Sequence, residues 1–386
     1  MGKRIGLDAR ALSNTNRQRG IGRYTSALID ALIRSDNNFS FVLFGYDKGA
    51  SSDLVPFEKE NVEWVTLPKS PNLSYLSLLA DHLLMAGTIK RSGIDLFHAI
   101  DHNMTPFLHV PSIVTVHDLI PLVLRGPYLG PRAWLWLASH RLAARQAEAV
   151  VAVSQNSAAD IERIWKIPRE RLAVIPEGVS DIYKKVEDGA DIERVTRRFG
   201  IKRPYFFYLG GFDPRKNIHN LLLGFKRFLL NDSGDYSLVL AGDTRDFEDY
   251  LSDEIEELGL TGKVLLTGFV EEEFLPVLYS GSEGFVCVSL YEGFGLPFLE
   301  AMACGTPVIA SNTSSIPEVV GDVGILVDPR EPDDISRGLE RVADSLRLRE
   351  ELREKGIERS AGFTWEGVAE RILDLYEAVF TGGVQG

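Results

Sequence analysis

The stretch GFVCVSLYEGFGLPFLEAMACGTPVIAS, residues 284–311, places a glycine-rich turn between two apolar runs. The first run is too continuous for a half-exposed strand and is typical of a central strand in a parallel sheet. Residues 296–304 are predicted to form a short helix, because proline suits a first helical turn and Gly305 suits the position just past a helix end. The stretch therefore predicts a strand, a glycine turn and a helix, in that order.

Two glutamates, Glu292 and Glu300, lie eight positions apart around this turn. A helix N-terminus offers unpaired N–H groups and a partial positive charge, and glycines let the backbone approach an anion, so the turn suits a diphosphate. Ionised carboxylates accept hydrogen bonds from paired hydroxyls. We therefore expect Glu292 and Glu300 to bind hydroxyls on the two sides of the phosphates, as in a nucleoside-diphosphate sugar.

Short apolar runs alternate with longer amphipathic segments along the whole chain. Strands are predicted at 4–9, 40–45, 62–67, 96–100, 112–118, 149–154 and 172–178, and again at 205–211, 236–243, 263–270, 284–290, 307–311 and 324–329. Helical patterns such as 22–34 and 132–148 lie between several of them. This alternation predicts two α/β domains, each with a doubly wound parallel sheet.

The predicted domain limits follow from a pause in that pattern. Residues 180–204 are charged and poor in strand patterns, which favours a first domain at 1–183, a linker at 184–203 and a second domain at 204–363. The C-terminal segment, 364–386, begins with an amphipathic helix that could cap the second domain or cross back to the first. Ligands of such sheets bind beyond the carboxyl ends of the strands.

Composition excludes several classes of protein. With 45% hydrophobic and 25% charged residues, the chain has the composition of a globular protein. Residues 1–200 carry 25 Lys and Arg against 22 Asp and Glu, and the remainder carries 17 against 33, which argues against general nucleic-acid binding. The two cysteines are expected to be buried free thiols. No signal peptide or membrane span is predicted, so we expect a cytoplasmic protein.

At this point the sequence resembles a known family. The E-x7-E pattern, the glycine-rich turn at 15–28, the VHD strand end at 116–118, VIPEGV at 174–179 and PRKN at 214–217 are together similar to glycosyltransferase family 4. The resemblance implies the GT-B fold, in which two Rossmann-like, doubly wound domains face a central cleft. It also implies a transferase that works with retention. No D-x-D motif follows a predicted strand, and a helix start beside paired cations fits a reaction that needs no metal or other cofactor.

The resemblance implies a catalytic set of Glu292, Arg215, Lys216 and His117. Paired cations after a strand suit a diphosphate, whose charge builds as the sugar–phosphate bond breaks. The family usually has an arginine four or five residues before the lysine, and here that position is Gly211. We therefore expect Arg215, Lys216 or both to carry the charge.

Further site residues are carried over from the family. The implied donor contacts are Gly20, Gly22, Gly211, Gly242, Gly268, Phe269, Val270, Gly293, Phe294, Gly295, Leu296 and Glu300. The implied acceptor contacts are Arg23, His98, His102 and Asp118.

The substrate is less sharply predicted than the family. RGIGRYT with PRKN resembles bacterial mannosyltransferases of surface-polysaccharide synthesis, so GDP-mannose is the first expectation, with UDP-glucose or another UDP-sugar as the alternative. A nucleotide-sugar epimerase and a non-catalytic sugar-nucleotide binding protein are alternatives from other classes. Glycoside hydrolysis is disfavoured, because the glutamates flank a phosphate-type turn.

The expected partners are the nucleotide sugar and a glycan or lipid-linked acceptor. Residues 123–145 mix tryptophans and leucines with arginines. Such a segment could lie on an anionic membrane at the inner face of the plasma membrane, or it could be a core helix with an arginine edge.

Overall fold

The computed structural model describes residues 2–13, 20–47, 61–68, 75–101, 103–124, 131–231, 234–243 and 247–383, with only the main chain described at 75–79 and 131–132. The chain divides into two compact units. The first unit comprises Met1–Gly178 and Trp365–Gly386, and the second comprises Val179–Thr364.

The first unit is built on a seven-stranded parallel sheet in the order β3-β2-β1-β4-β5-β6-β7. Its strands are β1 (Arg4–Asp8), β2 (Ser40–Gly45), β3 (Val62–Thr66), β4 (Leu96–Ala99), β5 (Ser112–Val116), β6 (Ala149–Ala152) and β7 (Leu172–Val174). The central strands β4, β5 and β6 are buried along their whole length. Their apolar runs are therefore continuous rather than alternating.

Helices connect these strands and cover the sheet. They are α1 (Gly20–Arg34), α2 (Tyr75–Arg91), α3 (Ile120–Val123), α4 (Pro131–Gln146), α5 (Gln155–Asp160), followed directly by a π-helical turn at Ile161–Trp165, and α14 (Trp365–Thr381). Although it follows the second unit in sequence, α14 belongs to the first unit and packs against α1. Its buried Tyr376 and Trp365 give it the apolar face that the sequence predicts.

The second unit has a six-stranded parallel sheet in the order β10-β9-β8-β11-β12-β13. The strands are β8 (Tyr205–Leu209), β9 (Ser237–Ala241), β10 (Val264–Gly268), β11 (Gly284–Cys287), β12 (Val308–Ser311) and β13 (Ile325–Val327). The helices are α6 (Gly189–Arg198), α7 (Ile218–Asn231), α8 (Glu248–Glu257), α9 (Leu275–Gly281), α10 (Leu296–Ala303), α11 (Ile316–Val320), α12 (Pro332–Asp344) and α13 (Leu346–Ser360).

The strand order reverses beside β8, whose two neighbours are β9 and β11. Connections from β8 and β11 leave on opposite sides at such a point, and this opens a crevice at the carboxyl ends of the strands. The turns after β8 and β11 are those that carry Arg215, Lys216 and Glu292. The predicted fold of two doubly wound parallel-sheet domains is confirmed, and every predicted strand is present.

The unit boundaries differ from the predicted ones. The second unit begins at Val179, and the predicted linker at 184–203 contains α6, which packs against α9. Asp188 caps α6, since its side chain accepts a hydrogen bond from the N–H of Ala190 (2.8 Å), and Ile192 and Val195 are buried. Because only two of the ten residues of this helix are buried and aliphatic, its apolar pattern is weak and the segment resembles a linker in sequence.

Candidate active site

The glycine turn between β11 and α10 has the predicted strand–turn–helix form. Gly295 has φ +118°, and a Cβ at this position would lie 2.6 Å from the ring of Phe298. Only glycine fits these two requirements. Pro297 lies in the first turn of α10, where its missing N–H is not needed. The sequence of this turn is thus set by backbone geometry as well as by any ligand.

Glu292 forms two ion pairs across the turns. Its Oε2 lies 2.8 Å from Nη1 of Arg215, and its Oε1 lies 2.6 Å from Nζ of Lys216. Arg215 also pairs through Nε with Asp213 at 3.0 Å. Burial acts to raise the pKa of Glu292, but the adjacent Lys216 and Arg215 charges outweigh it and lower the pKa to about 2. The carboxylate is therefore ionised at neutral pH.

The turn that carries the two cations is fixed to the end of β11. Pro214–Lys216 form one turn of 3₁₀-helix, and Asn217 follows with φ +60°. The Asn217 amide donates to the carbonyls of Val288 (3.0 Å) and Pro329 (2.6 Å). The N–H of Leu290 donates to the carbonyl of Arg215 at 2.8 Å. The cations and Glu292 are thus held on two cross-linked turns.

A run of three hydroxyl residues after β12 holds the main chain of the glutamate turn. Thr313 donates to the carbonyl of Leu290 (3.2 Å), and Ser315 donates to the carbonyl of Glu292 (2.9 Å). The hydroxyl of Ser314 accepts from the N–H of Glu292 at 3.0 Å. These three residues, which we call the hydroxyl clamp, satisfy backbone groups that a sharp turn leaves without helical or sheet partners.

Glu300 lies inside the second unit. It is buried in α10, and its Oε2 accepts a hydrogen bond from the Tyr279 hydroxyl at 3.0 Å. Burial and then the negative charge of Glu300 raise the pKa of the neighbouring Cys304 thiol. Glu300 is only 1% exposed, and its predicted contact with hydroxyls of the donor stays a prediction.

The predicted donor-contact glycines Gly211, Gly242 and Gly268 lie at the same edge of the sheet. Gly242 has φ +149°, and a Cβ there would lie 1.9 Å from the carbonyl oxygen of Gly210. Its N–H donates to the carbonyl of Gly268 at 2.9 Å. Gly211 is exposed, and a Cβ there would meet only Asp213. Close strand contact explains Gly242, whereas nothing in the backbone requires glycine at 211.

The other predicted donor contacts of this unit differ in burial. Phe269 is exposed, whereas Val270, Gly293, Phe294 and Leu296 are buried. Exposure at the carboxyl edge of the sheet leaves Phe269 accessible to a ligand. The buried four shape the turns and pack beneath them.

His117, in the first unit, has both ring nitrogens facing oxygen acceptors. Nδ1 lies 3.2 Å from a carboxylate oxygen of Glu177, and Nε2 lies 3.1 Å from the carbonyl of Ile100. Both bonds can form only when both nitrogens carry protons. Burial acts to lower the pKa of His117, but Glu177 and, less strongly, Asp101 raise it above its usual value. The ring is engaged within its own unit, and its predicted catalytic role stays a prediction.

His98 corrects a prediction of an acceptor contact. It is fully buried within β4 rather than at its end, where Nδ1 lies 2.7 Å from the Tyr376 hydroxyl and Nε2 lies 2.9 Å from that of Thr115. Burial lowers its pKa to about 3, so the ring is neutral. His98 therefore ties β4 to α14 and β5 and does not face a substrate.

The remaining predicted site residues of the first unit differ in exposure and in their contacts. Gly20 is the exposed first residue of α1, Gly22 is buried, and Arg23 is half-buried in the first turn of that helix. Asp118 accepts a hydrogen bond from the N–H of Ile120 at 3.0 Å, which shapes the turn after β5. His102 and residues 14–19 lie outside the described residues.

Helix α4, within the arginine-rich segment 123–145, has one face buried in the first unit and another with exposed apolar side chains. Leu137 is buried in the first unit, whereas Trp134, Leu135 and Leu142 are each about half exposed. Arg141 is used internally, since its Nε donates to the carbonyl of Trp165 at 3.2 Å. In the part of the chain that the structure describes, no helix is both long and apolar enough to span a bilayer.

Sequence reasoning missed three parts of this arrangement. They are Glu177, Asn217 and the hydroxyl clamp. Glu177 follows the short strand β7 at the sheet edge that also carries His117. Its place after the carboxyl end of a strand could have identified it as a candidate site residue. Within the described residues, no group of three His, Cys, Asp or Glu side chains is arranged to hold a metal ion.

Comparison with known proteins agrees with this geometry. A model described as glycosyl transferases group 1 matches residues 191–359, and a model described as glycosyltransferase family 4 matches residues 18–181. The MMP alpha-(1->4)-mannosyltransferase of Mycolicibacterium hassiacum is 32% identical over 307 residues, which are 75% of this chain and 71% of that protein.

Two further relatives are longer than the part they share with this chain. The O-antigen chain mannosyltransferase B of Escherichia coli is 34% identical over 233 residues, 60% of this chain and 61% of that protein. The serotype-specific mannosyltransferase WbdA of Escherichia coli is 30% identical over 267 residues, 68% of this chain and 33% of that protein. The chain thus covers less than two thirds of the length of these two relatives.

Among solved structures, sucrose-phosphate synthase from Thermosynechococcus elongatus is similar with a TM-score of 0.79 at 21% identity, covering 98% of this chain and 100% of that one. Two doubly wound parallel-sheet units are the architecture of the GT-B fold. The chain belongs to glycosyltransferase family 4.

Proposed function

We propose that this protein transfers a hexosyl residue from a nucleotide sugar to a glycan or lipid-linked glycan acceptor in surface-polysaccharide synthesis. GDP-mannose is the first choice of donor, because several relatives are named as mannosyltransferases. A UDP-linked hexose is the alternative. The observation that supports transfer most directly is the placement of Arg215, Lys216 and the glutamate turn at the ends of β8 and β11.

Each group has a part in the proposed step. Arg215 and Lys216 neutralise the diphosphate as its charge builds, and the start of α10 adds a partial positive charge. Glu292 accepts hydrogen bonds from hydroxyls of the donor sugar. The bond between the anomeric carbon and the phosphate oxygen breaks while the acceptor oxygen bonds to the same carbon on the same face. The configuration is retained because the new bond forms on the face from which the phosphate departs, and the acceptor proton passes to that phosphate.

No metal has a part in this proposal, because the two side-chain cations and the helix N-terminus supply positive charge where the leaving group develops its negative charge. Transfer assayed with and without a chelator tests this point directly. Activity that disappears with the chelator and returns with a divalent ion would contradict it.

A thermal-shift screen over nucleotide sugars is the first experiment. GDP-mannose should raise the melting temperature more than other donors, since a ligand that binds the native state stabilises it by mass action. The largest shift with a UDP-sugar would favour the alternative donor. Transfer should then be assayed with Glu292→Ala, and turnover like that of the wild type would contradict the role of Glu292. Altered sugar without any acceptor would indicate an epimerase.

The exposed side of α4 suits a lipid-linked acceptor. Trp134, Leu135 and Leu142 present apolar surface, and this segment carries several arginines, a combination that favours an anionic membrane surface. Sedimentation with vesicles of phosphatidylglycerol and phosphatidylcholine tests the contact. Trp134→Ser should weaken sedimentation, and equal sedimentation by both proteins would argue against this surface.

A further inference from the structure

Glu292 engages both cations that the proposed function assigns to the diphosphate. Each carboxylate oxygen has a different partner, Nη1 of Arg215 for Oε2 and Nζ of Lys216 for Oε1. The Glu292 and Lys216 side chains are only 13% and 12% exposed. Solvent therefore screens this pair less than it screens a surface ion pair.

The charges in this cluster balance. Arg215 and Lys216 contribute two positive charges, and Glu292 and Asp213 contribute two negative ones. A cluster without net charge attracts a diphosphate poorly. Phosphate oxygens about 2.7–2.9 Å from the same two nitrogens would lie close to the carboxylate oxygens of Glu292, and these like charges repel. Carboxylate and diphosphate thus compete for the same two side chains.

Resting on the proposed function, we propose that Glu292 is an internal competitor of the diphosphate, through which the site distinguishes the sugar-bearing donor from the free nucleoside diphosphate. When the donor binds, its sugar hydroxyls donate hydrogen bonds to Glu292, and these replace the ion pairs with the two cations. The free nucleoside diphosphate has no sugar hydroxyls, so nothing compensates the free energy that is lost when it displaces the carboxylate. The donor is thereby favoured over the product, and the product leaves readily.

The surroundings of Glu292 suit such an exchange. The contacts with Ser314 and Ser315 are made by the backbone N–H and carbonyl of Glu292, not by its carboxylate. They fix the main chain but do not restrain the carboxylate, whose further hydrogen bond with the Ser289 hydroxyl would be exchanged together with the two ion pairs. The carboxylate can then move between partners while the turn keeps its shape.

Isothermal titration of Glu292→Gln tests the inference, because glutamine keeps the size of the side chain and removes its charge. We expect GDP, UDP and inorganic pyrophosphate to bind at least about tenfold more tightly than to the wild type, which corresponds to about 1.4 kcal/mol. The nucleotide sugar should gain much less, so the ratio of the two dissociation constants should fall.

Asp213→Asn is the matched control. It removes the other carboxylate that pairs with Arg215, but this carboxylate is 42% exposed and well screened. Its effect on nucleoside-diphosphate affinity should stay below about threefold. A tightening equal to that of Glu292→Gln would contradict the inference, because any lost negative charge would then have the same effect.

Two results would overturn the competition. In the first, the Glu292→Gln variant melts cooperatively yet binds nucleoside diphosphate and pyrophosphate no more tightly than the wild type does. The other needs only the wild type: tighter binding of the free nucleoside diphosphate than of the donor sugar nucleotide. If neither protein binds any nucleotide, the proposed function itself fails, which is a different pattern from either result.

Discussion

Nδ1 of His98 lies 2.7 Å from the hydroxyl of Tyr376, a residue 278 positions later in the chain. Nε2 of the same ring lies 2.9 Å from the hydroxyl of Thr115. One neutral imidazole thus joins β4, β5 and α14 inside the first unit. Because all three side chains are buried, water cannot take the place of these hydrogen bonds.

Tyr376→Phe should destabilise the protein by about 1–3 kcal/mol, because it leaves a buried ring nitrogen of His98 without its partner. The free energy of unfolding in urea measures this loss. Tyr250→Phe is the control, since Tyr250 is an exposed tyrosine of α8 and water can replace the bond between its hydroxyl and Glu254, so its change should stay within about 0.5 kcal/mol. Equal effects of the two substitutions would mean that the His98 hydrogen bond contributes nothing.

The pH dependence of stability should follow His117. Its pKa is raised in the folded protein, and the unfolded value is about 6.5. The stabilisation is therefore fully present below about pH 6.5 and is lost as the pH rises through the folded pKa. The groups that face the ring are Glu177, Asp101, the Ile100 carbonyl and the ring of Tyr24, which lies perpendicular to it.

NMR titration of the imidazole signals checks this assignment. In Glu177→Gln the pKa of His117 should fall, because the remaining burial favours the neutral ring. Stability should then lose its dependence on pH above neutrality. An unchanged His117 pKa in the variant would show that Glu177 does not hold the proton.

The hydroxyl clamp can be tested at Ser314, which has φ +54°. Ser314→Gly should leave stability nearly unchanged, because glycine adopts this conformation without strain and so offsets the lost hydrogen bond. The ratio kcat/KM should nevertheless fall about threefold to tenfold, since the N–H of Glu292 loses its acceptor. Ser314→Asn, which tolerates positive φ and carries an acceptor oxygen, should recover part of the loss. A purely structural role predicts no change in kcat/KM for glycine.

Both cations should contribute to transfer, with Lys216 the larger. Lys216→Ala should lower kcat/KM by about 10²–10³, the usual loss for one charge-stabilising donor. Arg215→Ala should cost less, because the Arg215 side chain is twice as exposed as that of Lys216, at 24% against 12%, and also pairs with Asp213. Lys202→Ala, an exposed lysine outside the turn, is the control. Transfer that survives both substitutions would contradict the assignment of the diphosphate site.

The sequence predicted the strands well, because buried parallel strands such as 284–287 are continuous apolar runs. It also placed Glu292, Arg215 and Lys216 at strand ends. It could not predict that these three side chains bond to one another, since residues 76 and 77 positions apart meet only through strand order. His98 was misjudged because a buried polar residue within a short strand resembles one at its end.

The return of α14 to the first unit has a consequence for synthesis. The second unit is one continuous stretch of chain, whereas the first unit lacks an element until residues 365–381 have been made. A ribosome therefore releases all of the second unit before it releases the helix that supplies Tyr376 to His98. The N-terminal unit is thus completed later than the C-terminal one. The apolar surface of α1 therefore stays uncovered by α14 while the rest of the chain is synthesised.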